Sequence, residues 1–321
     1  ENFCPLAEHV LIAYNSATCF SKFEIAGDET MKLVTYSFQD QEHVGLIGSD
    51  AGKIVPISSL GFAAADMSAF IDELQGADPS GLLAQVDAAA GVPFAECRLL
   101  SPIRHPRQDV ICLGVNYYEH RDETLASNIK YDGQLSKPVY FSKRVNEAVD
   151  PGAPIQSHHD LIDSLDYEVE LAVILGKDAR SVAREDVASY VLGYTILNDV
   201  SARELQSAHQ QWYFGKSLDG FTPMGPWIVT RDEFPWMPKL AIRSYVNGEL
   251  RQNSNTELMM TGIDAAIHQL SQGMTLKAGT IVAMGTPSGV GMAFQPTRYM
   301  HPGDVVRCEI EGIGCLENPV E

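Results

Sequence analysis

The sequence predicts a β-rich α+β fold, and three observations support this assignment. Beyond residue 100, short apolar segments alternate with turns that contain glycine or proline, as expected for strands. Few long helical patterns separate these segments, which argues against a doubly wound parallel sheet. The chain has 321 residues, 45% of them hydrophobic and 20% charged, so a sizeable core is available.

The first hundred residues are predicted to form a small α+β domain. Apolar and polar residues alternate over 32–38, and short strands at 44–47 and 54–57 complete a β-meander. Asp66 is the expected N-cap of a helix that places Phe70, Ile71 and Leu74 on one face. A second helical stretch covers 80–90 and ends at a glycine. We therefore divide the chain into residues 1–100 and 101–321.

The second domain is predicted to consist mainly of strands. They are expected at 110–115, 139–142, 167–175, 191–197, 227–230, 240–246, 280–284 and 305–310.

Charge and cysteine content restrict the partners and the compartment. Lys and Arg number 23 and Asp and Glu 42, giving a net charge of -19 that repels phosphate backbones and anionic lipids. We therefore expect neither nucleic acid nor membrane as a partner, and an anionic substrate would need local cations or a metal. The six cysteines form no C-x-x-C pair and predict reduced thiols in the cytoplasm. Residues 1–30 show no secretory signal pattern and are expected to be an extension before Met31.

Two carboxylates on one strand predict a metal site. In the segment 167–175 the strand period of two places Glu168 and Glu170 on the same face as Ala172 and Ile174, while the other face is apolar. Both faces therefore look buried, and a divalent cation would offset the repulsion and lost hydration of two neighbouring carboxylates. The alternative is a solvated strand face.

Asp199 is the third candidate ligand. It follows the apolar strand 191–197 and precedes a helix that we expect to begin with a capping box of Ser201 and Glu204. A turn or cap residue is the alternative role. Three carboxylates without histidine or cysteine favour Mg²⁺ or Mn²⁺, with Ca²⁺ as an alternative.

His120 and Glu123 form a candidate general base. Three residues apart, they share a face of a helical turn, and a carboxylate that holds an imidazole can make it a base for water. A surface histidine in a charged helix is the alternative. The polar stretch 117–136 that contains them is predicted to act as a lid.

Two glycine-containing segments do not match phosphate or dinucleotide loops. The sequence at 215–217 would need a glycine where Gln210 stands, and residues 285–291 lack the G-x-G-x-x-G spacing. We expect the second segment to be a rigid turn that presents the Thr286 hydroxyl and backbone amides.

Several segments, in the same order and spacing, resemble the fumarylacetoacetate hydrolase family. They are 114–117 with His120 and Glu123, 166–171, 198–203, 211–212 with 215–219, and 285–291, within a match over about residues 101–318. The resemblance implies a mixed β-roll catalytic domain that forms a homodimer. It also implies that Glu168, Glu170 and Asp199 bind Mg²⁺ or Mn²⁺.

The resemblance further implies a reaction on a small 2-oxo acid. The expected reaction is hydrolysis of a carbon–carbon bond in a 2,4-diketo acid of the acylpyruvate or fumarylpyruvate type. His120 and Glu123 would activate water, and Lys216 would stabilise the enolate. Substrate carboxylate and oxo groups would contact Arg203, Gln206, Thr286 and Lys216. The alternatives are an isomerase, hydratase or decarboxylase acting on a related acid such as oxaloacetate, and a metal-stabilised binding protein without turnover.

Overall fold

A large mixed sheet organises the protein. The structure, a computed structural model, describes residues 30–126 and 137–321, and side chains of the helix ending at Ala126 up to residue 123. Residues 1–29 of the predicted extension lie outside the described residues. So do residues 127–136 of the predicted lid. The strands are β1 (Lys32–Phe38), β2 (Gln41–Ile47), β3 (Lys53–Pro56), β4 (Val92–Pro93), β5 (Arg98–Leu100), β6 (Val110–Gly114), β7 (Val139–Lys143), β8 (Leu165–Asp166), β9 (Val169–Leu175), β10 (Val191–Asn198), β11 (Ser201–Ala202), β12 (Met224–Thr230), β13 (Ala241–Val246), β14 (Glu249–Asn255), β15 (Ile281–Ala283), β16 (Val305–Ile310) and β17 (Gly314–Pro319).

The described strands form three sheets. The largest has eleven strands in the order β4-β3-β2-β1-β12-β10-β9-β15-β6-β7, with β5 paired to β1. The strands β14-β13-β16-β17 form a four-stranded sheet, and β8 pairs with β11. In the large sheet β15 and β6 are parallel, whereas β9 is antiparallel to both β10 and β15, so the sheet is mixed.

Strand β9 separates two hydrophobic cores. It is buried along its whole length, as is β10. Leu171 and Val173 belong to a core shared with the four-stranded sheet, and Ala172 and Ile174 to a core on the opposite face. Successive side chains of a strand point to opposite faces, so an apolar strand of this kind must be covered twice. The prediction that both faces are buried is confirmed.

Helices of the N-terminal segment pack on the second face of the large sheet. Helix α1 buries Phe70 and Ile71 against the face that contains Ile174, and the Asp66 carboxylate caps it by accepting the Ala69 N–H at 2.7 Å, as predicted. The helices are α1 (Met67–Leu74), α2 (Leu83–Ala88), α3 (Tyr118–Ala126), α4 (Arg203–Ala208), α5 (Tyr213–Lys216) and α6 (Ile263–Ser271). No helix in the described part is long and apolar enough to cross a bilayer.

The N-terminal segment contributes to the same sheet as the rest of the chain. Strand β1 pairs with β2 on one side and with β12 on the other, where Lys32 lies opposite Val229. The division at residue 100 stays a prediction.

Two local expectations are wrong. Ser201 and Glu204 do not form a capping box. Ser201 lies in β11, opposite Asp166 of β8. The Glu204 carboxylate accepts the Asp163 N–H at 3.1 Å. Long-range strand pairing outweighs the local capping pattern here. The expectation of reduced thiols is wrong for Cys315, which is disulfide-bonded, whereas Cys97, Cys112 and Cys308 are free.

Candidate active site

Strand pairing brings Glu168, Glu170 and Asp199 together. Glu170 lies opposite Leu197 in the pairing of β9 with β10, and the Asp199 N–H donates to the Glu168 carbonyl at 2.8 Å. One oxygen from each carboxylate lies within 4.8 Å of the other two, and the residues are 5%, 1% and 0% exposed, respectively. The predicted ligand set is thus one buried cluster, although Glu168 itself precedes β9.

Cations surround two of these carboxylates. Lys216 Nζ lies 2.8 Å from Glu168 Oε2 and 2.7 Å from Asp199 Oδ2. Arg203 Nη1 lies 2.7 Å from Glu168 Oε1. Burial by itself would raise the pKa of Glu168, but Lys216, Arg203 and His120 outweigh it and lower that pKa to about 2. Glu168 is therefore ionised at neutral pH.

Glu170 is in a different electrostatic position. Its Oε2 accepts the Gly285 N–H at 2.8 Å, while the ion pairs of the cluster go to Glu168 and Asp199. Burial and then the charges of Asp199 and Glu168 raise the pKa of Glu170 well above its usual value. A divalent cation among the three carboxylates would offset this repulsion, and an all-oxygen donor set suits Mg²⁺ or Mn²⁺. The residues present therefore fit such an ion.

Lys143 is a buried cation behind the cluster, to which the sequence analysis assigned no role. Its Nζ lies 2.7 Å from Asp199 Oδ1 and donates to the carbonyls of Val200 at 3.1 Å and Lys216 at 2.6 Å. Burial lowers the pKa of Lys143. The side chain connects Asp199 to the segment that carries Lys216.

Asp166 orients Arg203. The fully buried Asp166 carboxylate accepts Arg203 Nε at 2.8 Å and the N–H groups of Gly291 at 2.7 Å and Met292 at 3.0 Å. Arg203 Nη1 donates to Gln206 Oε1 at 3.0 Å, which links two of the predicted substrate-binding residues. Asp166 was part of the motif, but its bonds to Arg203, Gly291 and Met292 join residues more than thirty positions apart and left no local signal.

His120 and Glu123 are paired as predicted. His120 Nδ1 lies 2.9 Å from Glu123 Oε2, and Glu123 Oε1 accepts the Gly289 N–H at 2.9 Å. A carboxylate only accepts hydrogen bonds, so in the neutral imidazole the proton lies on Nδ1 and the lone pair on Nε2. His120 is 8% exposed, so the alternative of a surface histidine is not supported.

Asn116 anchors the chain where helix α3 begins. Its Nδ2 donates to the carbonyls of Thr261 at 3.0 Å and Met284 at 2.8 Å, and its Oδ1 accepts the Thr261 N–H at 2.8 Å. Asn116 lies in the motif 114–117, whose local pattern did not indicate this role.

Residues 285–291, which we call the glycine turn, connect these groups. Its amides hold three carboxylates: Gly285 N–H binds Glu170, Gly289 N–H binds Glu123 and Gly291 N–H binds Asp166. Gly285 has φ +85°, and a Cβ there would lie 2.9 Å from the Leu113 carbonyl, so the position requires glycine. The predicted presentation of backbone amides is confirmed.

The Thr286 side chain has internal partners. Its Oγ1 donates to the Val169 carbonyl at 3.0 Å and accepts Gln252 Nε2 at 2.7 Å. The hydroxyl hydrogen is therefore committed to Val169, and the oxygen can offer only a lone pair to another group.

Six of the nine predicted site residues line one open cavity. It is lined by Leu113, Gly114, Val115, His120, Phe141, Glu168, Arg203, Gln206, Trp212, Lys216, Thr286 and Met292. Glu170 and Asp199 lie beside Glu168, and Glu123 contacts His120. A carboxylate cluster, a cationic group and a held imidazole thus lie in one pocket with an apolar wall.

Comparison with known proteins identifies the family. Residues 109–321 match the family model described as "Fumarylacetoacetate (FAA) hydrolase C-terminal". The chain belongs to the fumarylacetoacetate hydrolase family. It is 40% identical over 228 residues to oxaloacetate tautomerase YisK of Bacillus subtilis strain 168, covering 71% of this chain and 74% of that protein.

Solved structures of this family share the fold. A fumarylacetoacetate hydrolase from psychrophilic Exiguobacterium antarcticum superposes with a TM-score of 0.77 at 37% identity, covering 91% of this chain and 99% of that one. A maleylpyruvate hydrolase from Sphingobium sp. SYK-6, in complex with manganese (II) and pyruvate, gives 0.70 at 29% identity, covering 90% and 98%. The expected family and the β-rich α+β fold of this family type are confirmed. The homodimer stays a prediction.

Proposed function

We propose that this protein is a divalent-metal-dependent hydrolase that cleaves a carbon–carbon bond in a 2,4-diketo acid of the acylpyruvate or fumarylpyruvate type. The observation that carries the proposal is the His120–Glu123 pair on the same cavity as the carboxylate cluster. A base and a metal site on one cavity are the two components that hydrolysis of such a substrate requires.

The metal would be held by Glu168, Glu170 and Asp199. Mg²⁺ or Mn²⁺ fits these ligands, with Ca²⁺ as an alternative, and the manganese in the maleylpyruvate hydrolase relative supports this choice. When bound, the ion supplies positive charge that offsets the negative charge of a 2-oxo acid and of its enolate.

Arg203 and Gln206 are suited to bind the substrate carboxylate. Arg203 Nη2 is buried and makes no hydrogen bond to a described residue, although Nε and Nη1 are held by Asp166 and Glu168. The guanidinium lines the cavity in a fixed orientation, so its remaining donors favour a charge-assisted bond to an anion. A local cation of this kind explains how a protein of net charge -19 binds an anionic substrate.

His120 would move the proton that the reaction requires. Its Nε2 accepts a proton from water, and the water oxygen bonds to the distal carbonyl carbon of the substrate. The bond between this carbon and C3 then breaks, and its electron pair leaves with the pyruvate enolate, whose negative charge develops near the Lys216 ammonium group. The proton returns from His120 to C3, giving pyruvate and a carboxylic acid.

Tautomerisation of oxaloacetate is the second candidate function. The Bacillus relative, which carries this activity in its name, is the observation that favours it. The same base would transfer a proton between C3 and the enol oxygen without an attacking water. Hydration and decarboxylation of related 2-oxo acids would use the same cavity.

A turnover screen tests these proposals. Acetylpyruvate, fumarylpyruvate and oxaloacetate are each incubated with the protein and Mg²⁺, Mn²⁺ or EDTA, and the products are identified by NMR. Metal-dependent formation of pyruvate and a carboxylic acid in equal amounts supports the hydrolase. Interconversion of enol and keto oxaloacetate without cleavage of either diketo acid supports the second candidate. No turnover of any substrate at saturating metal contradicts both and leaves a metal-stabilised binding protein.

A further inference from the structure

We propose that Gln252, in β14 of the four-stranded sheet, is a positioning residue for the metal ligands. Its carboxamide holds Val169, which lies between Glu168 and Glu170, against the glycine turn. This inference rests on the proposed metal site and adds to it a residue outside the cavity.

Gln252 forms a closed set of hydrogen bonds in the core. It is fully buried, its Oε1 accepts the Val169 N–H at 3.1 Å, and its Nε2 donates to Thr286 Oγ1 at 2.7 Å and the Pro287 carbonyl at 2.8 Å. Thr286 Oγ1 in turn donates to the Val169 carbonyl at 3.0 Å. The N–H and the carbonyl of Val169 are therefore both hydrogen-bonded to side chains.

These side chains replace a missing strand. At the edge of β9 to which these two groups of Val169 point, β9 pairs with β15, which ends with Ala283 opposite Ala172. The last backbone hydrogen bond along this edge runs from the Met284 N–H to the Leu171 carbonyl. Beyond this point the chain leaves the sheet to form the glycine turn. Val169 would then have no partner in a buried strand, a state that native structures avoid. Gln252 and Thr286 supply the partner and leave room for the turn.

The same bonds reach both parts of the proposed site. Gln252 fixes the turn at Thr286 and Pro287, next to Gly285, whose N–H holds Glu170. Further along the turn, the Gly289 N–H holds Glu123 and through it His120. Loss of the Gln252 bonds is therefore expected to loosen a metal ligand and the base together.

Gln252→Met tests the inference, with Ser244→Ala as the matched control. Methionine has a similar length but cannot replace these hydrogen bonds. Ser244 Oγ donates to the same Gln252 Oε1 at 2.8 Å and is also fully buried, but its hydroxyl is not among the groups that hold Val169 and the turn. Affinity for Mn²⁺ is measured on the full chain by the EPR signal of free Mn²⁺, and folding by circular dichroism.

We expect Gln252→Met to weaken Mn²⁺ binding by about 10- to 100-fold, the usual effect of losing a residue that orients a ligand. At saturating Mn²⁺ its kcat should also fall. Ser244→Ala should keep wild-type Mn²⁺ affinity although it removes a buried hydrogen bond. Wild-type affinity in folded Gln252→Met overturns the inference, as does an equal loss in both variants.

A second variant covers the case in which Gln252→Met does not fold. Gln252→Asn keeps the carboxamide but is one methylene shorter, so it cannot reach Val169 and the turn together. Weakened Mn²⁺ binding in this variant supports the inference, and unchanged binding overturns it. Absence of Mn²⁺ binding by the wild-type protein would instead contradict the proposed metal site itself.

Discussion

Replacing Glu123 by glutamine tests the proposed base with little change of shape. The new Oε1 can still accept the Gly289 N–H, which lies 2.9 Å from the present carboxylate oxygen. The new amide nitrogen would face His120 Nδ1, now 2.9 Å from Oε2. Because an amide N–H₂ only donates, His120 would have to move its proton to Nε2 to avoid two opposed donors. The nitrogen that takes a proton from water would then have no lone pair.

The expected loss follows from this change of tautomer. A lost general base lowers kcat by about 10²- to 10⁴-fold, or about 2.7 to 5.4 kcal/mol in activation free energy at about 1.36 kcal/mol per factor of ten. His120→Ala removes the ring itself and sets the upper limit of the effect. Mn²⁺ affinity should stay unchanged in both variants, because neither residue belongs to the carboxylate cluster.

Steady-state kinetics on acetylpyruvate at saturating Mn²⁺ measure the effect, and EPR of free Mn²⁺ provides the control. Decarboxylation of oxaloacetate needs no attacking water and should fall less than hydrolysis. A kcat for Glu123→Gln within about threefold of wild type, far below the usual contribution of a general base, would refute the role of the pair. Equal losses on both substrates would refute water activation in particular.

Three further predictions address the metal site, the fold and the core thiols. Glu170→Gln should remove most Mg²⁺ or Mn²⁺ affinity and activity, because an ion bound chiefly by charge loses an anionic ligand; unchanged metal dependence would place the ligands elsewhere. Asp66→Ala should lower the free energy of unfolding by about 1 kcal/mol in urea titrations, since it removes the cap on Ala69 N–H, and should leave kcat unchanged. Burial raises the pKa of the Cys112 and Cys308 thiols, so their reactive thiolates form only at higher pH than that of an exposed cysteine. Raising the pH from about 7 to about 9 should therefore not increase their alkylation in the native protein, as measured by peptide mass spectrometry with unfolded protein as the positive control; rapid native labelling would contradict the buried position.

Elements with a strong local pattern were predictable. The alternation over 32–38 gave β1 with the same bounds, and the position of Asp66 before an amphipathic stretch gave α1 and its cap. The segment Glu249–Asn255 was not predicted as a strand because its residues are mostly polar. It is a strand because its partner β13 pairs along its length, which is a property of the neighbour as much as of the segment.

The sequence by itself determined the chemical components of the site. Glu168 and Glu170, two residues apart on an apolar strand, indicated a buried metal site, and His120 and Glu123, three apart on a helical turn, indicated a held imidazole. The structure brings each of these pairs together, because the spacing within one element sets which side chains share a face.

Only the tertiary structure decided how these groups are held. Four residues act through partners far away in the chain: Asp166, Lys143, Asn116 and Gln252. Gln252, for example, binds Val169, 83 positions away, and Thr286, 34 positions away. Such contacts leave no periodic signal, because the buried polar groups that require them appear only when strands pair and end. For the same reason Ser201, which matched a capping pattern locally, became part of a strand paired with Asp166.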